Sequence, residues 1–140
     1  MNPTPYLNLD NVDLLCHDVA AMVDFYHDVL GLPFFLPYEP GQEWAALQAG
    51  NVTLYVFRTN STVTPPRRVH VAAEDPPGLS AFGLTVPDLD AAVADLDGRV
   101  TWAGAARRWD HPSGIWYRFR PFRDPEGNVL SITEPHKSPA

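Results

Sequence analysis

Apolar and polar residues follow the same order in each half of the chain. Val12, Leu14 and Cys16 alternate with Asn11, Asp13 and Leu15; Phe82, Leu84 and Val86 alternate with Ala81, Gly83 and Thr85. Period-two alternation of this kind predicts a strand with one apolar face. An aspartate follows each strand, Asp18 and then Asp88, 70 residues apart. From Asp18 the period becomes helical, with Val19, Met22, Val23, Tyr26, Val29 and Leu30 in one stripe. A second helix is predicted from Pro87 or Asp88 through Leu96. Both aspartates suit an N-cap, where a carboxylate accepts from backbone amides two or three residues on. Gly31, backed by Pro33, and Asp97-Gly98 are the expected stops.

Short strands are predicted next at 34–38, 43–48 and 52–58, then again at 99–107, 114–122 and 128–134. Gly50-Asn51-Val52 and Gly127-Asn128-Val129 open the last strand of each set. The order β-α-β-β-β is written twice, and an internal repeat of this length implies two copies of one unit. The expected fold is therefore α+β, one domain over 1–140, with modules at 10–58 and 79–136 and a linker at 59–78. Proline clusters at Val63-Thr-Pro-Pro and Glu74-Asp-Pro-Pro mark that linker as loop. Even-numbered positions of the first strands, with Leu54, Val56, Leu130 and Ile132, are expected under the helices. Thr53, Tyr55, Phe57, Val129, Ser131 and Thr133 take the other face, as cleft-lining residues would.

Composition narrows the setting. Hydrophobic residues at 45% and charged ones at 19% are ordinary for a soluble globular protein. No apolar run is long enough to span a membrane, and the first residues lack the basic and apolar regions of a signal peptide. A single cysteine, Cys16, suits a reducing cytosol and is expected to be buried and inert. The net charge of −7 argues against a nucleic-acid partner, which requires a basic face. The expectation is a cytoplasmic protein with no membrane or nucleic-acid partner and a small-molecule ligand.

The candidate chemistry is sparse. Asp13 points to the cleft side, where desolvation would permit acid/base work; pairing with Arg118 or Arg120 of an opposing strand is the competing reading. His17 and His27 lie on different faces of one helix, His70 and His136 in linker and tail, and none forms a ligand pattern. His111 follows Trp109-Asp110 in a turn and is a candidate ligand contact. The aromatics are more telling. Phe34, Phe35, Tyr38, Trp44, Tyr55, Phe57, Trp102, Trp109, Trp116, Tyr117 and Phe119 fall in strands or turns, and flat rings on a sheet grip planar ligands.

The phrase from His17 and Asp18 to Tyr26 and Gly31 resembles the first helix of the vicinal oxygen chelate superfamily, which holds glyoxalase I, extradiol dioxygenases and bleomycin-resistance proteins. Asp124-Pro-Glu-Gly-Asn128 resembles its second hallmark, and Gly83 to Asp90 its second-module opening. The resemblance implies two βαβββ modules forming a cupped sheet, often completed in a homodimer. Metal-dependent members place ligands seven residues before each capping aspartate and midway along each last strand. Those positions here are Asn11, Ala81, Tyr55 and Ser131, none of which is a usual ligand. The resemblance is therefore closest to the metal-free bleomycin-resistance branch, which binds drug in aromatic crevices. The implied function is sequestration of an aromatic or hydrophobic natural product, such as an antibiotic, without metal or cofactor. The ligand contacts would be Phe35, Tyr38, Trp44, Tyr55, Phe57, Trp102, Trp109, His111, Trp116 and Ser131. The alternative is a metal-independent isomerase, cyclase or lyase with Asp13 as base.

Overall fold

The computed structural model describes residues 4–64 and 68–137; residues 65–67, inside the expected linker, lie outside the described residues. The chain divides into two compact units, Met1–Thr62 and Val63–Ala140. The first unit holds β1 (Asn11–Cys16), α1 (Val19–Val23), β2 (Trp44–Ala49) and β3 (Val52–Arg58). The second holds β4 (Phe82–Thr85), α2 (Leu89–Leu96), β5 (Thr101–Trp102), β6 (Arg107–Asp110), β7 (Trp116–Arg123) and β8 (Val129–His136). Each unit carries one mixed sheet. In the first the order is β1-β3-β2, and in the second β4-β8-β7-β5, with β6 also paired to β7. Among the described residues no helix is long and apolar enough to cross a membrane.

Both capping aspartates take their expected places. The Asp18 carboxylate accepts from the Ala21 amide at 3.0 Å, and that of Asp88 from the Ala91 amide at 3.2 Å. The first helix differs from a uniform α-helix. After Val23 it widens into a π-helical stretch, Asp24–Val29, where the Leu30 amide donates five residues back to Phe25. The wider turn brings the adjacent Phe25 and Tyr26 both into the core, edge to face at 5.0 Å. Strict 3.6 periodicity places Phe25 off the stripe, so sequence pattern alone does not count it as core.

Two strand expectations are corrected. Residues 34–38 form no strand: only Phe34 makes an isolated bridge, to Leu47. Pro33 precedes the segment and Pro37 lies within it, and neither has the amide that a ladder would use. Residues 99–107 are not one strand either, since β5 is two residues long and Arg107 begins β6. The strand β6 extends to Asp110, through residues expected in a turn.

The parity assignment holds along β1, where Leu14 and Cys16 are buried and Asp13 and Leu15 exposed. Leu54, Val56, Leu130 and Ile132 are all buried. Cys16 is buried as expected. In the second unit Phe122, Leu130 and Ile132 share the α2 face of the sheet, whose outer end is polar. There Arg118 pairs with Glu134 at 2.7 Å, and the same carboxylate accepts the Leu89 amide at the start of α2. The Arg118 bonds, then His136 and the Leu89 amide, hold the Glu134 carboxyl down to about 2.

Candidate functional site

Strand register builds one wall of a cleft in the second unit. Along β7 the residues alternate: Trp116, Arg118, Arg120 and Phe122 face α2, while Tyr117, Phe119 and Pro121 face away. The β7–β8 register sets Phe119 beside Thr133 and Pro121 beside Ser131. The β6–β7 register sets Trp109 beside Tyr117 and Arg107 beside Phe119. On the far side of β8, Gly83 of β4 lies beside Ser131. A Cβ at residue 83 would stand 2.9 Å from Thr133 Oγ1 and 3.0 Å from Ser131 Oγ. The bare glycine therefore leaves room for this hydroxyl pair, whose oxygens lie 3.0 Å apart.

The segment expected to be only a linker completes the site. His70 joins Trp109, Tyr117, Phe119, Ser131 and Thr133 around a cleft of about 220 Å³. Its loop is held at several points. The Val69 amide donates to Asp75 at 2.7 Å and the Val71 amide to Ser80 at 3.0 Å. Arg68 binds the Pro76 and Pro77 carbonyls, and Arg123 binds the Arg68 carbonyl. Val71 has φ of 50°, a left-handed conformation that a β-branched residue adopts only under strain.

Arg107 fixes the state of that imidazole. Its Nη2 donates to His70 Nδ1 at 2.8 Å. Because a guanidinium only donates, Nδ1 must accept, and the imidazole proton sits on Nε2. Burial, and after it the Arg107 charge, push the His70 imidazole below its ordinary value. The neutral form is thus favoured in the fold. Its stabilising contribution is complete above the ordinary histidine range and is lost as pH falls through that range and then through the folded value. An NMR titration should find the His70 midpoint below 6.5, and rising toward it in Arg107→Gln. A wild-type midpoint at or above 6.5 would rule out this contact.

The remaining expected site residues lie in other places. In the first unit the β1–β3 register pairs Asp13 with Tyr55 and Asn11 with Thr53. Asp13 is exposed and accepts from the Asn11 side chain at 2.9 Å. In the second unit Arg118 binds Glu134 and Asp90, and Arg120 the Gly104 carbonyl. Trp44 lies opposite Phe57, and Phe57 stacks near Tyr55 with centroids 5.9 Å apart. Phe35 is exposed. Tyr38 stacks on Phe34 and lines a separate cleft of about 330 Å³ with His17, Glu43 and Arg58.

In the second unit Trp102 and Trp116 take the α2 face, away from Ser131. Trp102 packs edge-on to Phe122 beneath Arg120, and Trp116 stacks on His136 at 3.6 Å beneath Arg108. His111 bonds Ser113 within its turn, and Ala81 immediately precedes β4. Of the expected ligand contacts, the cleft gathers Trp109 and Ser131. It adds His70, which reads in sequence as a linker histidine, Thr133, expected on the cleft face, and Tyr117 and Phe119, grouped with the strand aromatics but not chosen as contacts. The odd parity that Tyr117 and Phe119 share along β7 was the available signal.

Residues 8–132 match the family described as the Glyoxalase/Bleomycin resistance protein/Dioxygenase superfamily. The chain belongs to that superfamily. Solved structures agree on the fold. SMU.1112c is 23% identical, with 91% of this chain and 98% of that chain covered and a TM-score of 0.67. A glyoxalase/bleomycin resistance protein/dioxygenase from Alicyclobacillus acidocaldarius is 17% identical, with 93% and 92% covered and a TM-score of 0.65. A lactoylglutathione lyase from Agrobacterium tumefaciens is 23% identical, with 94% and 96% covered and a TM-score of 0.63. Among curated proteins no match was found.

Superfamily members that use a metal require a donor set, and this chain's residues do not fit one. Asn11, Tyr55, Ala81 and Ser131 offer an amide, a phenol, a methyl and a hydroxyl. Among the described residues no three His, Cys, Asp or Glu side chains gather where an ion could be held.

Proposed function

We propose that this superfamily member binds a small aromatic or hydrophobic molecule, such as a natural product or antibiotic, without a metal, and protects by sequestering it. The observation that carries the reading is the cleft of the second unit, walled by Trp109, Tyr117 and Phe119 and floored by two hydroxyls. Rings fix a planar ligand at little entropic cost, each stacked pair adding roughly 0.5–1.5 kcal/mol beyond area burial. His70, Tyr117, Ser131 and Thr133 supply the lining with hydrogen-bonding groups that orient a ligand against the rings. A homodimer belongs to this reading. It is supported by Leu15 and Phe57, apolar side chains left 65% and 38% exposed on the non-helical face of the first sheet.

The test is a tryptophan-fluorescence titration against a panel of polycyclic aromatic compounds, followed by mass analysis of the recovered ligand. Quenching that saturates, with ligand recovered unchanged, is the expected result. The same preparation should contain far less than one equivalent of divalent metal and should scatter light as twice 15.5 kDa. A ligand of altered mass would establish an enzyme instead, and silence across the panel would remove the binding reading.

A further inference from the structure

The described arginines of the second unit are spent on oxygen, with one exception. Arg99 meets Asp95, Arg108 meets Asp110, and Arg118 meets Glu134 and Asp90. Arg68, Arg120 and Arg123 donate to backbone carbonyls. Among the described residues Arg107 alone meets no oxygen. Its partners are the His70 nitrogen at 2.8 Å and the Phe119 ring, whose centroid lies 5.2 Å from Cζ. Both partners line the cleft, so the exposed guanidinium stands just outside that lining with most of its five N–H donors uncommitted.

From this geometry we propose that the ligand is an aromatic acid, its ring held by the cleft aromatics and its anionic group bound by Arg107 and the Nε2–H of His70. The inference rests on the reading of the cleft as a ligand site and adds the chemical class. Three features support it. A guanidinium recognises a carboxylate through paired N–H donors that match its two oxygens. The Arg107 bond to Nδ1 leaves the His70 proton on Nε2, so the imidazole is a donor ready for an anion. No carboxylate lines the cleft to compete, in a chain that is acidic overall. The volume sets the size. About 220 Å³ lies below the roughly 300–1,000 Å³ of drug-sized pockets, which points to one or two rings.

The experiment compares three probes of one shape: naphthalene-2-carboxylic acid, its primary amide, and 2-naphthylmethylamine. Affinities are read by tryptophan quenching at pH 8, where the acid is ionised and His70 neutral. The acid should bind at least tenfold more tightly than the amide, and the amine most weakly. Arg107→Gln should abolish the difference in affinity between acid and amide; Arg107→Lys should restore part of it. Circular dichroism confirms that each variant is folded. Equal affinity for acid and amide, or discrimination that persists in Arg107→Gln, would overturn the acid assignment and leave the cleft standing. No binding by any probe would instead remove the cleft reading itself.

Discussion

Replacing Asp124 with alanine should destabilise the protein by about 2–4 kcal/mol, since each buried donor left without a partner costs about 1–3 kcal/mol. Asp124 is 5% exposed and organises the turn from β7 into β8. One carboxylate oxygen accepts the Glu126 amide at 2.9 Å and the Asn128 amide at 3.0 Å; the other accepts the Asn128 side chain at 2.8 Å. Gly127 takes φ of 88°, and its amide closes the turn on the Asp124 carbonyl at 2.9 Å. Alanine leaves three donors without an acceptor. The turn is only partly buried, so water recovers some of the loss. Asparagine keeps one acceptor oxygen and should recover about half of the stability. Because this turn sets the register that puts Phe119 beside Thr133, alanine should also weaken ligand binding. Urea unfolding measures the first effect, and a loss below about 0.5 kcal/mol would show that the turn closes without the carboxylate.

That turn also shows which parts of the molecule were legible. The phrase Asp124-Pro-Glu-Gly-Asn128 stands out in sequence because five adjacent residues satisfy one another, so its meaning is local. The same holds for Asp18 and Asp88, whose caps depend on amides three residues away, and for Leu14 and Cys16, whose burial follows from alternation. What sequence did not yield depends on distant partners. His70 reads as a linker histidine until Arg107, 37 residues on, binds its ring. Nothing local predicts that contact, nor the left-handed Val71 that precedes the loop's return. The tryptophans misled for a different reason. Grouping aromatics by residue type set Trp102 and Trp116 with Trp109, whereas the pleat of β7 sends Trp116 and Tyr117 to opposite faces. The π-helical stretch is illegible for the same cause as the cleft: it is chosen by packing of Phe25 and Tyr26, not by propensity.

Phe119→Ala should weaken binding of naphthalene-2-carboxylic acid by about 10- to 100-fold, which is about 1.4–2.8 kcal/mol. Phe119 lies at the centre of the cleft, between Arg107 on β6 and Thr133 on β8 in strand register. Its ring is a wall for the ligand, and it is also the surface on which the polar groups rest. The His70 ring lies 5.3 Å from it and the Arg107 guanidinium 5.2 Å. Losing the ring therefore removes a stacking partner and frees two side chains that hold an anion in place. Stability should fall less than the roughly 3–5 kcal/mol of a fully buried phenylalanine, because this one is only half-buried. Trp116→Ala is the matched control. Trp116 is larger and three residues away on the same strand, but it faces α2 and stacks on His136. Its loss should leave affinity within about twofold while lowering the melting temperature. Two titrations thus decide between the faces of β7. If Trp116→Ala weakened binding as much as Phe119→Ala, the ligand would sit on the helix side of the sheet, and the cleft assigned to His70 and Arg107 would be wrong.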